Sequence, residues 1–375
     1  MSVFLLVAGL FMFVGLVVLH ELGHFIASRR NGIEVEEFGV GFPPRAKVIT
    51  RKNGTTYTLN WLPLGGFVKL KGEHDADTQK GSFGAASLKA KVKVMVAGVG
   101  MNLATAFVIF TLLALIGMPK LLENQYTVDS DTKISRQEVL VGYVEPDSPA
   151  QKAGLSQRDQ IVSVGLPGQT PVSITNQDQL PMVTKKFAGQ TVDVKVLKAG
   201  QPVVKTVSLR SSQEVADSQK TDKPKGYLGI SPAEYVLRQS TWSAPLVAAG
   251  MIVQLTEATL KGLGTAISSL VHGHAKQASA QVSGPVGIFV LLKDGSILGY
   301  QFILVIIAVI SLTLAIMNIL PIPALDGGRL FVILLYRAIR RPLTQQREEL
   351  INGIGFASLM ALFVLITIVD IKRNF

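Results

Sequence analysis

Four stretches of this chain carry no charged residue at all: Met1 to Leu19, Val94 to Met118, Ser296 to Leu325 and Leu350 to Val369. Each reaches roughly the 20 residues that a helix needs to cross ~30 Å of hydrocarbon. No other feature restricts the fold as much. In lipid every backbone N–H and C=O must be bonded within the protein, which leaves helices as the open choice for runs this long. The composition agrees: 48% of the 375 residues are apolar and only 17% charged, a skew away from soluble proteins. A secretory leader is not expected, because no Lys or Arg precedes the first run and no small-residue cleavage site follows it. The expectation is a polytopic α-helical membrane protein of four spans, at 1–28, 94–118, 296–325 and 350–370.

Lys and Arg set the expected orientation. The loop from Ser28 to Lys93 holds twelve of them, with Arg29, Arg30, Lys89, Lys91 and Lys93 hard against the spans, and Arg329, Arg337, Arg340, Arg341 and Arg347 follow the third span. Both loops, 29–93 and 326–349, are therefore expected in the cytoplasm, with the termini and the long segment between spans two and three outside. Lys372 and Arg373 count slightly against this. The net charge of +11 calls for no nucleic acid, since cationic flanks beside anionic lipid account for much of it. With no cysteine, a disulfide frame and a thiolate metal site are both excluded.

The long outer segment reads as a separate α+β domain. "EVLVGYVEPDSPAQKAGLSQRDQIVSV" gives alternating strands around a Ser-Pro-Ala turn, "NQDQLPMVTKKF" has helical spacing, and "TVDVKVLKAGQPVVKTVSL" is a hairpin about a Lys-Ala-Gly-Gln turn. Order and turn residues resemble a single PDZ domain of the bacterial type over about 125–212, within a segment of 120–235. Arg158 stands where such domains often carry glycine, so that turn is expected to differ. PDZ folds take up peptides or C-termini by adding a strand to a sheet edge; a spacer with an unused groove is the alternative. Residues 241–272 place Leu246, Val253, Leu260, Leu263, Ile267 and Leu270 on one side and Gln254, Glu257, Lys261 and Ser268 on the other, which suits a helix in the outer interface better than a fifth span.

Chemistry enters with "HELGH" at the end of the first span. His20 and His24 stand one turn apart on one helix face, the spacing at which two imidazoles bind one Zn²⁺, with Glu21 beside them to reach a water. Each ionisable residue at such depth costs about 2.5–3.5 kcal/mol on the insertion scale, and three fall within five residues. A catalytic site needs a third ligand. His74, His272 and His274 lie in polar or interfacial segments and read as solvated. Asp326, in "MNILPIPALDGGRL", follows a span broken by Pro321 and Pro323, and broken backbone at that depth must line protein or water. Spacing alone leaves open whether Asp326 is a ligand or caps the next helix.

The box in the first span, "NILPIPALDGG" in the third, "WLPLGGFVKLKGE", "SGPVGI" and the intervening PDZ-like segment together resemble the site-two protease family of intramembrane zinc metalloproteases, in particular the bacterial branch typified by the regulator of sigma-E protease. The likeness runs nearly end to end. It implies a bacterial cytoplasmic membrane protein, zinc held by His20, His24 and Asp326, Glu21 as catalytic acid and base, and Asn318 and Asn102 in substrate positioning. Where the family carries Ala-Gly-Pro-x-x-Asn, this chain has "AGVGMN" with Val99 for proline, which weakens the assignment of Asn102.

A transmembrane helix must unwind before a peptide bond in it can be attacked, and its freed backbone groups then need partners. "RAKVITRKNGTTYTLNWLPLGGFVKL" reads as strand, Asn53-Gly54 turn, strand, and a third strand from Gly66 to Leu70. This sheet is expected to dip into the bilayer and hold unwound substrate along Gly66, Phe67, Val68 and Lys69; a plain cytoplasmic hairpin is the alternative. The favoured function is an intramembrane endopeptidase acting on single-span proteins, with anti-sigma factors and remnant signal peptides equally suited. A catalytically inactive membrane receptor binding peptides through its PDZ domain is the alternative, and a zinc transporter a third class, disfavoured because spans two and four hold no ionisable residue.

Overall fold

The computed structural model describes residues 2–198, 200–220, 224–274 and 283–374; Met1 of the first span, Ala199 of the Lys-Ala-Gly-Gln turn and residues 221–223 of the outer segment lie outside them. Five helices are long and apolar enough to cross a membrane, and the chain is a polytopic membrane protein carrying two β-sheets. It divides into two compact units, one made of residues 1–116, 125–128 and 241–375 and the other of 117–124 and 129–240.

In the first unit α1 (Ser2–Arg30) and α2 (Leu88–Ile116) pack against each other, and α6 (Ala244–Val271), α7 (Pro285–Leu298), α8 (Tyr300–Ile319), α9 (Asp326–Ala338) and α10 (Gln345–Asn374) complete the helical body. α1 and α2 outrun their uncharged runs, because charges close the ends of a membrane helix without ending it. The expected third span at 296–325 is corrected. Gly299, at φ +115°, separates α7 from α8, and Ser296 to Leu298 belong to α7. Residues 320–325 are non-helical, as Pro321 and Pro323 require. The helix of the expected fourth span begins at Gln345 rather than 350, and the 326–349 segment holds a helix of its own. Large apolar side chains such as Phe4, Phe11, Val108, Phe356 and Leu365 stand exposed along the long helices, the surface a bilayer covers.

The sheet of this unit is formed by β1 (Val35–Lys52) and β2 (Thr55–Leu70), which bend so that they supply four segments. Gly66–Leu70 runs antiparallel to Val35–Val40, Glu37–Val40 also lies beside Thr56–Leu59 in rising register, and Thr55–Asn60 returns against Arg45–Lys52. The segment order is thus 66–70, 35–40, 55–60, 45–52. Asn53 (φ +51°) and Gly54 (φ +80°) make the turn, both in the left-handed region that Asn and Gly tolerate. The sequence reading expected three strands; Val35–Val40 is the addition. It stands between two neighbours, so Gly66–Leu70 is an edge.

The second unit is a seven-stranded sheet. Its strands are β3 (Met118–Pro119), β4 (Lys133–Val144), β5 (Gln160–Gly165), β6 (Val172–Ser173), β7 (Thr191–Lys198), β8 (Gln201–Ser208) and β9 (Ile230–Gln239), in the order β3-β9-β4-β5-β7-β8 with β6 on β5. Three short helices, α3 (Pro149–Lys152), α4 (Gln179–Lys186) and α5 (Ser212–Ser218), accompany it. Val139, Val141, Ile161, Val164, Val192, Val194, Val196 and Leu180 form a closed apolar core. β9 was not foreseen: it pairs with β4 from Lys133–Gln239 to Val144–Ile230. At the turn before β5, Arg158 stands where glycine was noted as frequent. The arginine takes φ +75°, the conformation glycine would supply, at a strain of order 1 kcal/mol.

Candidate metal centre

His20 and His24 lie near the C-terminal end of α1, both 8% exposed, with their rings 4.7 Å apart. Their Nε2 atoms are 3.1 Å from each other, and Asp326 Oδ2 lies 3.1 Å from the first and 3.0 Å from the second. These three residues are the group of potential metal ligands found among the described residues. Asp326 reaches them because the chain after α8 breaks and reverses. Ala324 holds φ +73°, an outlying conformation for a residue with a β-carbon, and Asp326 opens α9 as its first residue, after Leu325 at the cap position. The alternative that Asp326 caps this helix does not describe its side chain, whose partners are the two histidines. A β-carbon at Gly328 would collide with the Ile322 carbonyl, so the Gly-Gly pair serves close packing of α9 on the broken segment.

α2 closes the other side. His24 Nδ1 is 2.8 Å from the Val94 carbonyl oxygen, which can only accept, so Nδ1 carries the proton and Nε2 presents its lone pair. Asn102 is fully buried. Its amide nitrogen sits 3.3 Å from His20 Nδ1, while its Oδ1 has no partner. With its two amide atoms exchanged, Oδ1 accepts the His20 Nδ1–H and His20 Nε2 is freed as a second lone pair. Two imidazole lone pairs and a carboxylate oxygen directed at one another are mutually repulsive, and a divalent cation is the partner that such a donor set fits. Four tetrahedral zinc ligands at about 2.0–2.1 Å stand roughly 3.3 Å apart, close to the separations here. Gly98 makes this approach possible: a β-carbon there would strike His24 Nε2 and His20 Cε1. The sequence reading weighed Val99 beside it and passed over the glycine, whose signal was the small-residue run "AGVG" facing the box.

Glu21 lies on the side of α1 that meets the sheet. The position of a β-carbon on Gly66 is 3.6 Å from Glu21 Cγ and 3.7 Å from Val18 Cγ2, so the Glu21 side chain stands against the start of the Gly66–Leu70 strand. Gly66 is buried, Phe67 and Val68 half-buried, and Lys69 exposed and paired to Glu36 at 2.8 Å. Asn318 is half-buried on the last turn of α8, and its side chain is not among those bonded to the triad.

One turn further along α2 and α9 lies a second polar cluster, which sequence reasoning missed. Phe83 is fully buried between Lys91 Nζ, 5.5 Å above its ring centroid, and Arg329 Cζ, 4.9 Å away. Lys91 donates to Asp75 and, at 2.7 Å, to the Gly84 carbonyl. Arg329 pairs with Glu348 at 3.4 Å and donates to the Glu73 carbonyl, and Glu348 accepts from Asp75 N at 2.9 Å. Lys91 had been counted with its neighbours as a cytoplasmic flank; it points inward and is buried. His74 is likewise no solvated residue. It is half-buried, 3.9 Å from Glu348 and 3.4 Å from Glu349, while His272 and His274 are exposed.

Comparison with known proteins places these features in context. Residues 8–362 match the family model for peptidase family M50. The chain is 32% identical over 367 residues, 98% of each chain, to a Clostridium perfringens protein provisionally named a zinc metalloprotease. It is 25% identical over 452 residues to zinc metalloprotease RasP of Oceanobacillus iheyensis, covering 98% of this chain and 99% of that one. To the regulator of sigma-W protease RasP of Bacillus subtilis it is 26% identical over 451 residues, 98% of each.

Proposed function

Because the chain belongs to peptidase family M50, we propose that it is an intramembrane endopeptidase that hydrolyses peptide bonds within or beside the transmembrane segments of single-span membrane proteins. It is a zinc metalloprotease, and His20, His24 and Asp326 are the residues that would hold the ion. The observation that carries the proposal is the convergence of those three ligand atoms, with Glu21 beside them, against the edge strand Gly66–Leu70. When bound, zinc supplies the Lewis acidity that polarises a scissile carbonyl and acidifies water. Glu21 takes the proton of the attacking water on its carboxylate and returns it to the leaving nitrogen. The free edge of Gly66, Phe67, Val68 and Lys69 receives an unwound substrate segment as an added strand, satisfying backbone groups that lipid cannot. Asn102 fixes the His20 tautomer and so the geometry around which substrate is positioned; Asn318 helps to seat the substrate segment. Exposed Ile49 (60%), Trp61 (72%) and Leu62 (48%) on the sheet suit its entry into the bilayer. The test is cleavage of a single-span substrate by the reconstituted protein: a zinc chelator should abolish it and added zinc restore it. Chelator-resistant cleavage, or cuts confined to the soluble tails, would overturn the proposal.

Four spans with both termini outside a bacterial cytoplasmic membrane remain our reading, and α6 in the outer interface belongs to it. Tyr126, just beyond α2, packs on Gly250 and donates its N–H to Gln254 at 2.8 Å, so α6 begins at the end of α2 remote from the box. Asp370, near the far end of α10, accepts from Gly284 N at 2.7 Å and Gly287 N at 2.8 Å, so α7 begins at that same end. Residues 272–283 between them include Lys276 and no apolar run and are too few and too polar to recross. An α6 that crossed would strand the chain on the wrong side. Single cysteines at Lys80 and Lys195, in this cysteine-free chain, should label from opposite faces; labelling from one face would refute the arrangement.

The second unit we read as a PDZ domain that turns away substrates with bulky outer domains, specificity obtained by exclusion. Lys133 and Gln239 face each other across the β4–β9 ladder, so a short Gly-Ser linker can join them and remove the strands between. The shortened protein should still cut a small substrate and now also cut one with a large outer domain. Loss of both activities in a folded, zinc-loaded protein would mean that the unit recruits or props instead.

A further inference from the structure

On the side of α1 turned away from the sheet, α1 and α2 border a cavity of about 440 Å³. Its direction follows from helix geometry, at 100° per residue. Val17, Val18 and Glu21 meet Gly65 and Gly66 of the sheet, and the Phe25 ring stacks against Phe38 and Tyr57. Gly23, Ala27 and Arg30, which line the cavity, lie on the opposite face.

The cavity changes character along its length. Gly23, Ile26 and Ala27 from α1 and Ala97 and Met101 from α2 supply its apolar lining, and Arg30, Asn31 and Lys93 its polar lining, where the two helices leave the apolar runs. No carboxylate is among the lining residues. Of the neighbouring cations, Lys69, Lys71, Arg45 and Lys91 are matched to Glu36, Glu34, Glu37 and Asp75, while Lys52 and Lys89 stand exposed outside the cavity. Arg30 and Lys93 have no ion pair or hydrogen-bond partner for their side chains among the described residues. Two exposed cations from different helices that line one cavity with an apolar remainder suit a ligand with an anionic head and a hydrocarbon tail.

We propose that this cavity binds one anionic glycerophospholipid of the leaflet on the box side. Its phosphate sits between Arg30 and Lys93, and the first carbons of one acyl chain fill the slot over Gly23, Ala27, Ala97 and Met101. The guanidinium of Arg30 provides a planar fork and the Lys93 ammonium a point charge for the same phosphate. The tail would lie against the α1–α2 crossing, where the place of a β-carbon on Gly23 meets the Ala97 backbone, one residue from the Gly98 that touches both histidines. The bound lipid thereby stiffens the contact on which the metal centre rests.

The test uses the full-length protein in detergent, titrated with phosphatidylglycerol or phosphatidylcholine and read by native mass spectrometry. One phosphatidylglycerol should be retained in preference to phosphatidylcholine. The Arg30→Gln/Lys93→Gln pair should bind it about 30-fold more weakly, at roughly 1 kcal/mol per cation, and Ala27→Phe, which fills the slot with both charges kept, should also weaken it. The exchange Arg30→Lys/Lys93→Arg should retain it. Lys52→Gln/Lys89→Gln, the same charge change at exposed positions outside the cavity, should bind like the parent, and excess inorganic phosphate should not displace the lipid. Zinc content and melting temperature are followed for each variant; should the glutamine pair not fold, Ala27→Phe and the exchange still decide. Equal loss in the Lys52/Lys89 pair would show a general surface potential. Displacement by phosphate, or unchanged binding in Ala27→Phe, would show a headgroup contact without a lipid slot. Each of those results overturns the proposal.

Discussion

Two buried polar clusters stand one helical turn apart on the same two helices. The Phe83 cluster uses Lys91 of α2 and Arg329 of α9; the metal centre uses Val94, Gly98 and Asn102 of α2 and Asp326 of α9. In the first, cation meets anion, and Lys91, Arg329 and Glu348 have backbone or ring partners besides. In the second, three lone-pair donors converge on each other. Buried charges that satisfy one another hold geometry and have nothing left to react with. A cluster whose donors need a cation is a site. The paired cluster sits where it can keep α9 against α2, which is the spacing on which the unpaired one depends.

The contrast can be broken at either side. Glu21→Gln should reduce cleavage of a transmembrane substrate by about 10³-fold, the scale of a lost general acid–base, with zinc content and melting temperature unchanged; a fall in zinc content would make Glu21 part of the metal's hold. Asp326→Ala should weaken zinc binding by ~100-fold or more, since loss of a protein ligand exceeds the loss of an outer partner, while the fold survives. Zinc affinity equal to that of the parent would remove Asp326 from the centre. Asp75→Ala, which strips the fully buried Lys91 of its carboxylate, should cost about 3 kcal/mol of stability, as broken buried pairs do. Denaturation should register it before metal analysis does, and a variant as stable as the parent would dissolve the distinction drawn here. Asn102→Ala should lower zinc affinity by roughly 10-fold through the His20 tautomer, the smallest of the four effects. If Asn102→Asp, which can only accept from Nδ1, restores affinity and Ala does not, the tautomer assignment stands.

What was legible in the sequence was what short-range spacing encodes. His20, Glu21 and His24 declare themselves within one turn, and the Asn53-Gly54 turn within two residues. Asp326 could be nominated by the proline break but not decided, because its partners lie about 300 positions away and only the fold brings them to it. The burial of Lys91 was illegible for a related reason. In "LKAKVK" three lysines alternate with apolar residues, and nothing local says which one turns inward to an Asp75 held by a loop. Gly98 was overlooked because a glycine in an apolar helix reads as neutral until the histidines that need its missing side chain are set against it. β9 escaped because its pattern, "ISPAEYVLRQ", is interrupted by a proline and alternates only at its end, while its pairing with β4 spans nearly a hundred residues.

The contact of Asp370 with Gly284 and Gly287 bears on how such a protein can be handled. Its carboxylate closes the first turn of α7, the helix that packs on α1, α8 and α10. The last turns of α10 are therefore part of the scaffold around the catalytic helices and no mere trailing end. A fluorescent or affinity fusion joined beyond residue 375 leaves this latch intact, whereas trimming the chain back to residue 369 opens it. Trimmed protein should lose protection from proteases first around residues 284–298, well away from the cut.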